Sequence, residues 1–207
     1  MRSAIMYRFQ YIRFYSAVIS WLVARIGHML RDHAVNPETE TIILGTFNPR
    51  TPENGADFFY GRRRNHLWRL LPLAFGCPSL KGKSRDEKMS FLREHRVDFI
   101  DLVSEVDVDD PANYDDRYID GRVVKWKDVI GEIGKLPRLG KICLSRKTLG
   151  GIPNMKKKIG EVKKYCGERG IIFGLLTSPA RIYSAEKQAE WSAFFNGEGE
   201  EGRGGEA

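Results

Sequence analysis

Signatures for metals, nucleotide phosphates and membranes are missing from this sequence. The three cysteines, Cys77, Cys143 and Cys166, show no CxxC spacing, and His28, His33, His66 and His95 show no ligand spacing. A zinc or iron–sulfur site is therefore not expected, and an odd cysteine count builds no disulfide framework. Scattered thiols suit a reducing, cytoplasmic compartment. There is no GxxxxGK[ST] or GxGxxG phosphate loop and no HxE…CxxC deaminase pattern, so neither a metal nor a cofactor is expected. The longest uncharged stretch near the N-terminus, Phe14 to Ala24, is too short to span a bilayer core of ~30 Å. No small-residue cleavage site follows it, which argues against a secretory signal.

Acidic residues are absent from residues 1–31, whose five arginines contribute +5, while residues 198–207 hold four glutamates against one arginine, or −3. With a net charge of +7 over 207 residues, the middle of the chain carries +5. A mildly basic domain of this size suits an anionic partner such as nucleic acid. The arginine-interrupted apolar stretch from Ile5 to Ile26 has two readings. One is a basic amphipathic helix lying on a membrane surface or on the domain. The other, favoured here, is an extension (1–28) ahead of a natural start at Met29, with a domain over 29–196. The Gly/Glu segment 197–207 reads as a disordered tail.

Apolar patterning then alternates between strand and helix. Ile42-Ile43-Leu44 is a continuous apolar run, as in a parallel strand covered on both faces. Further strands are expected at Val97–Val103, Lys141–Leu144 and Gly170–Leu176. Helical spacing predicts Asn65–Phe75, Val123–Lys135, Pro153–Cys166 and Ser184–Phe195, and Ser84 with Glu87 three residues on is a capping box for a helix to about His95. The acidic stretch Asp107–Gly121 reads as a long surface loop. The expected fold class is α/β, a three-layer α/β/α sandwich with a central, mainly parallel four-stranded sheet. Ligands of such sheets bind beyond the carboxyl ends of the strands. That rule selects four loops: Thr46–Arg50, Ser104–Asp110, Ser145–Thr148 and Thr177–Arg181.

Two of these loops carry distinctive chemistry. In Thr46-Phe47-Asn48-Pro49-Arg50, the asparagine offers an uncharged acceptor and donor, and Pro49 holds Asn48 extended. An Asn-Pro turn that simply ends a strand is the plainer reading. In Thr177-Ser178-Pro179-Ala180-Arg181, two hydroxyls, a rigid turn and a basic side chain precede a helix, where a phosphate could be held; a capped turn is again the plainer reading. Between them, Phe58-Phe59-Tyr60 offers ring faces on which bases could stack, although at least one of these rings is expected in the core. Arg62-Arg63-Arg64 follows at once, and a charge run is commonly a solvated face. Arginines beside aromatics at a strand-end loop favour nucleic-acid contact.

Taken together, these residues resemble the uracil-DNA glycosylase superfamily. Asn48-Pro49 through Phe58-x-Tyr60 to Asn65-x-x-Trp68 is similar to the Gly-x-Asn-Pro, aromatic-pair and Pro-x-Asn-x-x-Trp pattern of mismatch-specific uracil/thymine glycosylases. Thr177-Ser178-Pro179-Ala180 looks like the second motif of hypoxanthine-type members. The resemblance implies that Asn48 orients the attacking water and that Asn65 binds the base or takes part in catalysis. It implies stacking on the flipped base by Tyr60 with Phe58 or Phe59, beside Phe47. Ser178 and Pro179 would pinch the DNA backbone, with Thr177 beside them, and Arg181 would reach a phosphate or fill the vacated stack. The chain departs from the pattern at Thr46, where a glycine is usual, in lacking the second motif's histidine, and at Gly61-Arg62, where many members have Ala-His-Pro.

Three readings follow. The first is a monomeric base-excision repair glycosylase, acting on uracil, hypoxanthine or mismatched thymine in DNA, with no metal or cofactor and no stable membrane insertion. The second is a catalytically inactive or differently tasked nucleic-acid-binding protein on the same fold. The third is a membrane-associated protein using residues 5–26.

Overall fold

Strand β2 (Thr41–Gly45) is buried along its whole length, as its unbroken apolar run requires. It pairs in parallel with β3 (Val97–Asp101) on one side and β6 (Lys141–Leu144) on the other, and β6 pairs in parallel with β7 (Ile172–Leu175). The order β3-β2-β6-β7 is the expected four-stranded parallel sheet. The computed structural model describes residues 23–52 and 54–197. The expectations for residues 1–22 and for the tail beyond Gly197 lie outside them.

The period of two along each strand divides the core. Ile43, Val97, Phe99 and Cys143 point to one face, packed with α1 (Leu67–Ala74), α2 (Arg85–Glu94) and α6 (Ala185–Asn196). Ile42, Leu44, Ile100, Ile142 and Leu144 point to the other, against α5 (Pro153–Arg169) and a second sheet. Helices thus flank the sheet on both faces. The chain from β2 to β3 passes over the first face, and that from β6 to β7 over the second. The two connections leave neighbouring strands in opposite directions, which opens a crevice between the carboxyl ends of β2 and β6.

Four sequence expectations need correction. The segment Val97–Val103 is two strands, because Leu102 N–H donates to Gly45 O at 3.1 Å and Val103 N–H to Thr46 O at 3.0 Å before the chain turns into β4 (Val103–Val108). Strand β4 is the centre of an antiparallel sheet, between β1 (Ala24–Gly27) and β5 (Val123–Trp126), that the sequence patterning did not reveal. The helix expected over Val123–Lys135 is strand β5 (Val123–Trp126), then α4 (Val129–Ile133). Pairing with β4 overrides the helical spacing, and Asp128 starts the helix by accepting from Gly131 N–H at 3.0 Å. The acidic stretch read as a loop contains the end of β4, a short helix α3 (Asp116–Ile119) and a 3-10 turn (Asp120–Arg122). Finally, β1 (Ala24–Gly27) lies ahead of the expected boundary at Met29 and pairs with β4, so the folded unit extends upstream of it.

Other local signals are realised. The Ser84–Glu87 capping box is formed. Helix α1 begins at Leu67, two residues later than expected, because Asn65 Oδ1 accepts from Leu67 N–H at 2.9 Å. Pro72 inside α1 has no N–H for Trp68 O, and that carbonyl accepts from Leu80 N–H at 2.7 Å instead. No helix among the described residues is long and apolar enough to cross a membrane.

Asp120 caps α5 from a distance in sequence: its carboxylate accepts from Asn154 N–H at 3.0 Å and Met155 N–H at 2.7 Å. It is buried, so its loss leaves these donors unpaired. Asp120→Ala is expected to lower unfolding stability by about 1–2 kcal/mol in urea titrations, with little change in slope. An unchanged midpoint would mean that α5 does not need this cap.

Candidate active site

The crevice at the ends of β2 and β6 is built around the absence of a side chain. A Cβ on Gly45 would lie 2.0 Å from Asp101 Oδ1 and 2.8 Å from the Tyr60 hydroxyl. Only glycine lets the carboxylate at the end of β3 and the Tyr60 ring close over the end of β2. The Tyr60 hydroxyl lies 2.8 Å from Ser145 Oγ, at the end of β6. Burial, and then the charge of Asp101, hold the Tyr60 pKa well above its ordinary value, so the hydroxyl keeps its proton. Asp101 Oδ2 lies 2.7 Å from His28 Nε2, and His28 Nδ1 accepts from Leu30 N–H at 3.0 Å. An accepting Nδ1 carries no proton, so neutral His28 presents Nε2–H to the carboxylate. On the far side of His28 and Asp101, a cleft of about 450 Å³ lies between residues 28–35 and strands β3 to β5, floored by Phe59, Phe99 and Trp126. Asn48, Tyr60 and the Thr177–Arg181 loop do not line it.

Asn48 is 8% exposed. Its Oδ1 accepts from Asn54 Nδ2 at 2.8 Å, and its Nδ2 points at the Met29 sulfur at 3.8 Å. Asn54 Oδ1 in turn accepts from Arg62 Nε at 3.2 Å. The Arg62 guanidinium lies over the Tyr114 ring at 4.5 Å, and Tyr114 closes the loop through a 2.5 Å hydrogen bond with the Thr51 hydroxyl. Asp116, from the same acidic segment, pairs with Arg146 in the loop after β6. Burial raises the Asp116 pKa, against the Thr46 hydroxyl and Arg146, which favour the charged form. Asp116 thereby joins the loops after β2 and β6.

The second loop is held from behind. Glu190 accepts from Thr177 N–H at 2.9 Å and from its hydroxyl at 2.6 Å, and pairs with Lys147 at 2.9 Å. Burial acts to raise the Glu190 pKa, but the Thr177 hydroxyl and Lys147 outweigh it, and the carboxyl sits below its ordinary value. Trp191 Nε1–H donates to Thr177 O at 3.0 Å. In front, His66 N–H donates to Pro179 O at 2.8 Å and Arg181 N–H to Arg64 O at 2.9 Å, with Asn65 opposite Ala180 in an antiparallel bridge. Tyr60 (φ 54°) and Arg181 (φ 71°) are two of three non-glycine residues with positive φ among the described residues. Such backbone costs on the order of 1–3 kcal/mol and persists where the surroundings enforce it.

The structure therefore brings the Asn48 loop, Tyr60, Arg62–Asn65 and Thr177–Arg181 to one edge. Because β2, β6 and β7 are parallel neighbours, the two loops start about 10 Å apart. Phe47 and Tyr60 are half-buried; Arg62, Arg63, Arg64, Ser178 and Arg181 are exposed, and Pro179 is buried. Phe58 and Phe59 are not brought to this surface. They are 0% and 3% exposed, and Phe59 stacks on Phe99 with ring centroids 5.0 Å apart. These two rings are core: Phe58 is fully enclosed, and Phe59 reaches only the floor of the cleft beside His28 and Asp101, away from the Asn48 edge. Asn65 uses its carbonyl to start α1. Sequence reasoning missed Asp101, Ser145, Asn54, Tyr114, Asp116 and Glu190. The strand-end rule reached the Ser145 loop, but nothing local marked the others.

Gly45→Ala would drive a methyl group into the Asp101 carboxylate. It is expected to destabilise the protein by roughly 1–3 kcal/mol and to shift the imidazole resonances of His28, read by urea unfolding and NMR. Unchanged stability and an unshifted His28 would refute this account of the crevice.

No family model and no curated protein matches the chain. Among solved structures, the chain is similar to a solution NMR structure named as a "putative Uracil DNA glycosylase" from Methanosarcina acetivorans, at 22% identity and a TM-score of 0.55. The match covers 79% of this chain and 92% of that one. Likeness at this identity is likeness of fold alone.

Proposed function

We propose that this chain is a DNA glycosylase that hydrolyses the N-glycosidic bond of a deaminated base, uracil, hypoxanthine or mismatched thymine, flipped out of the duplex. The observation that carries the reading is the backbone pairing of Arg64–His66 with Pro179–Arg181 at the edge where the Asn48 loop emerges. The name of the structural neighbour agrees with it. A base inside a duplex is out of reach, so the nucleotide must leave the stack. Phe47 and Tyr60 are the half-buried rings available to receive it. Asn54 fixes the Asn48 carbonyl, whose second lone pair remains to orient a water toward the sugar. As the bond breaks, negative charge develops on the base, and preorganised donors stabilise it. The Asn65 side-chain N–H, whose carbonyl alone is engaged by Leu67 N–H, is suited to that role. Ser178, Arg181 and Arg62–Arg64 would position phosphates.

A second reading, a non-catalytic nucleic-acid-binding protein, is favoured by one observation: the Asn48 and Asn65 carbonyls are both already engaged within the protein. Excision assays separate the two. Duplexes bearing uracil, hypoxanthine or a thymine mismatch are expected to yield an abasic product from at least one. Asn48→Ala is expected to cut the rate by about 100-fold or more while duplex affinity stays within a few-fold. The absence of abasic product from all three, with binding intact, would favour the second reading. Under either, Arg63→Gln is expected to reduce the slope of log affinity against log salt by about 1; an unchanged slope would place the DNA elsewhere.

A further inference from the structure

His66 sits on the seam between the arginine stretch and the second loop. Its Nδ1 is 3.2 Å from Lys81 Nζ and its Nε2 is 3.3 Å from Arg181 O. An ammonium only donates and a carbonyl only accepts, so Nδ1 is bare, Nε2 carries the proton and the ring is neutral. The charges that act on the ring are Lys81 from the loop after α1, Lys187 from α6 and Arg69 from α1, all positive. Lys187 Nζ donates to Ala180 O at 3.3 Å and Ile182 O at 2.6 Å, and so holds the second loop. It also feels Glu190, which is committed to Thr177 and Lys147. The Arg69 guanidinium lies 3.6 Å from the centroid of the Tyr183 ring, itself 6.2 Å from the His66 ring. Like charges gathered on a surface repel unless an anion joins them.

We infer that His66, Arg69, Lys81 and Lys187 form a seat for one phosphate group of the DNA backbone, and that filling it takes up one proton on His66 Nδ1. This rests on the proposal that the partner is DNA. In the free protein Lys81 donates to Nδ1. When a phosphodiester enters, Lys81 turns its ammonium to the anion, and a proton from solvent occupies Nδ1 and is donated to a phosphate oxygen. Nε2–H stays on Arg181 O, so the ring reports phosphate occupancy directly to the second loop.

Burial, then Lys81, hold the free ring below the ordinary histidine range, so it is neutral at pH 7. An adjacent anion favours the imidazolium and raises its pKa. Between the free and bound values, binding takes up a proton, and affinity falls as pH rises by up to about tenfold per pH unit.

The test uses the full chain and an undamaged DNA duplex, so its readout does not depend on excision. NMR follows His66 Cε1–H through a pH titration without DNA, with the duplex, and with sulfate at matched ionic strength. The duplex is expected to move the His66 midpoint upward. His66→Gln is expected to flatten the pH dependence of duplex affinity, and Lys81→Gln to lower the salt slope by about 0.9. A midpoint unmoved by the duplex, or a pH dependence equal in wild type and His66→Gln, would overturn the inference. A shift with sulfate but not with the duplex would show an adventitious anion only and would overturn it equally. Proton-linked binding without excision would count against the glycosylase reading and leave the seat intact.

Discussion

A short antiparallel contact between residues 64–66 and 179–181 fixes the geometry of the candidate site. Its two backbone hydrogen bonds, His66 N–H to Pro179 O and Arg181 N–H to Arg64 O, join segments more than a hundred residues apart in sequence. Backbone bonds of this kind do not depend on which side chains flank them, so they set position before any side chain acts. Helix α6 supports the contact from behind, through Glu190 and Trp191 on Thr177 and through Gln188 Nε2, which donates to Leu70 O at 3.0 Å. The second loop is thus clamped on two sides, and its exposed residues, Ser178 and Arg181, project from a rigid base. Preorganisation of this type is what recognition of a distorted backbone requires.

The other half of the site depends on burying polar groups without leaving them unpaired. Asp101, His28, Tyr60 and Ser145 surround the end of β2, and each has a partner there. The same low dielectric that makes such a cluster costly when incomplete makes it strong when satisfied. Gly45 is the constraint that admits it. The acidic segment between β4 and α4 then ties the edge together, Tyr114 to Thr51 and Arg62, Asp116 to Arg146, and Asp120 to the start of α5.

Those three ties explain what was legible in the sequence and what was not. Ile42-Ile43-Leu44 announced a strand covered on both faces because its apolar run is continuous, and Ser84 with Glu87 announced a helix because the capping box is local. The parallel sheet and its carboxyl-edge loops followed from such signals. Val123–Trp126 misled because alternation over four residues is too short to oppose helical spacing, and only the partner strand β4 decides the matter. Phe58 and Phe59 misled for a related reason: a run of three aromatics does not say which ring turns inward, and Phe99, the ring that Phe59 stacks on, is distant in sequence. Tyr114, Asp116 and Glu190 were invisible as site residues because their roles arise from long-range contact, with no local spacing to mark them. His28 was visible only as a histidine without ligand spacing, and its part in the crevice exists because β1 carries it to Asp101.

The most direct measurement is a crystal structure of the complex with a duplex that carries a non-hydrolysable 2′-fluoro analogue of deoxyuridine or deoxyinosine. The expected result is an extruded base between the Asn48 loop and the Tyr60 ring at the ends of β2 and β6, with backbone phosphates on Ser178 and Arg181. A duplex bound on another face, such as the lysine-rich surface of α5, or a base left stacked in the duplex, would contradict the glycosylase account.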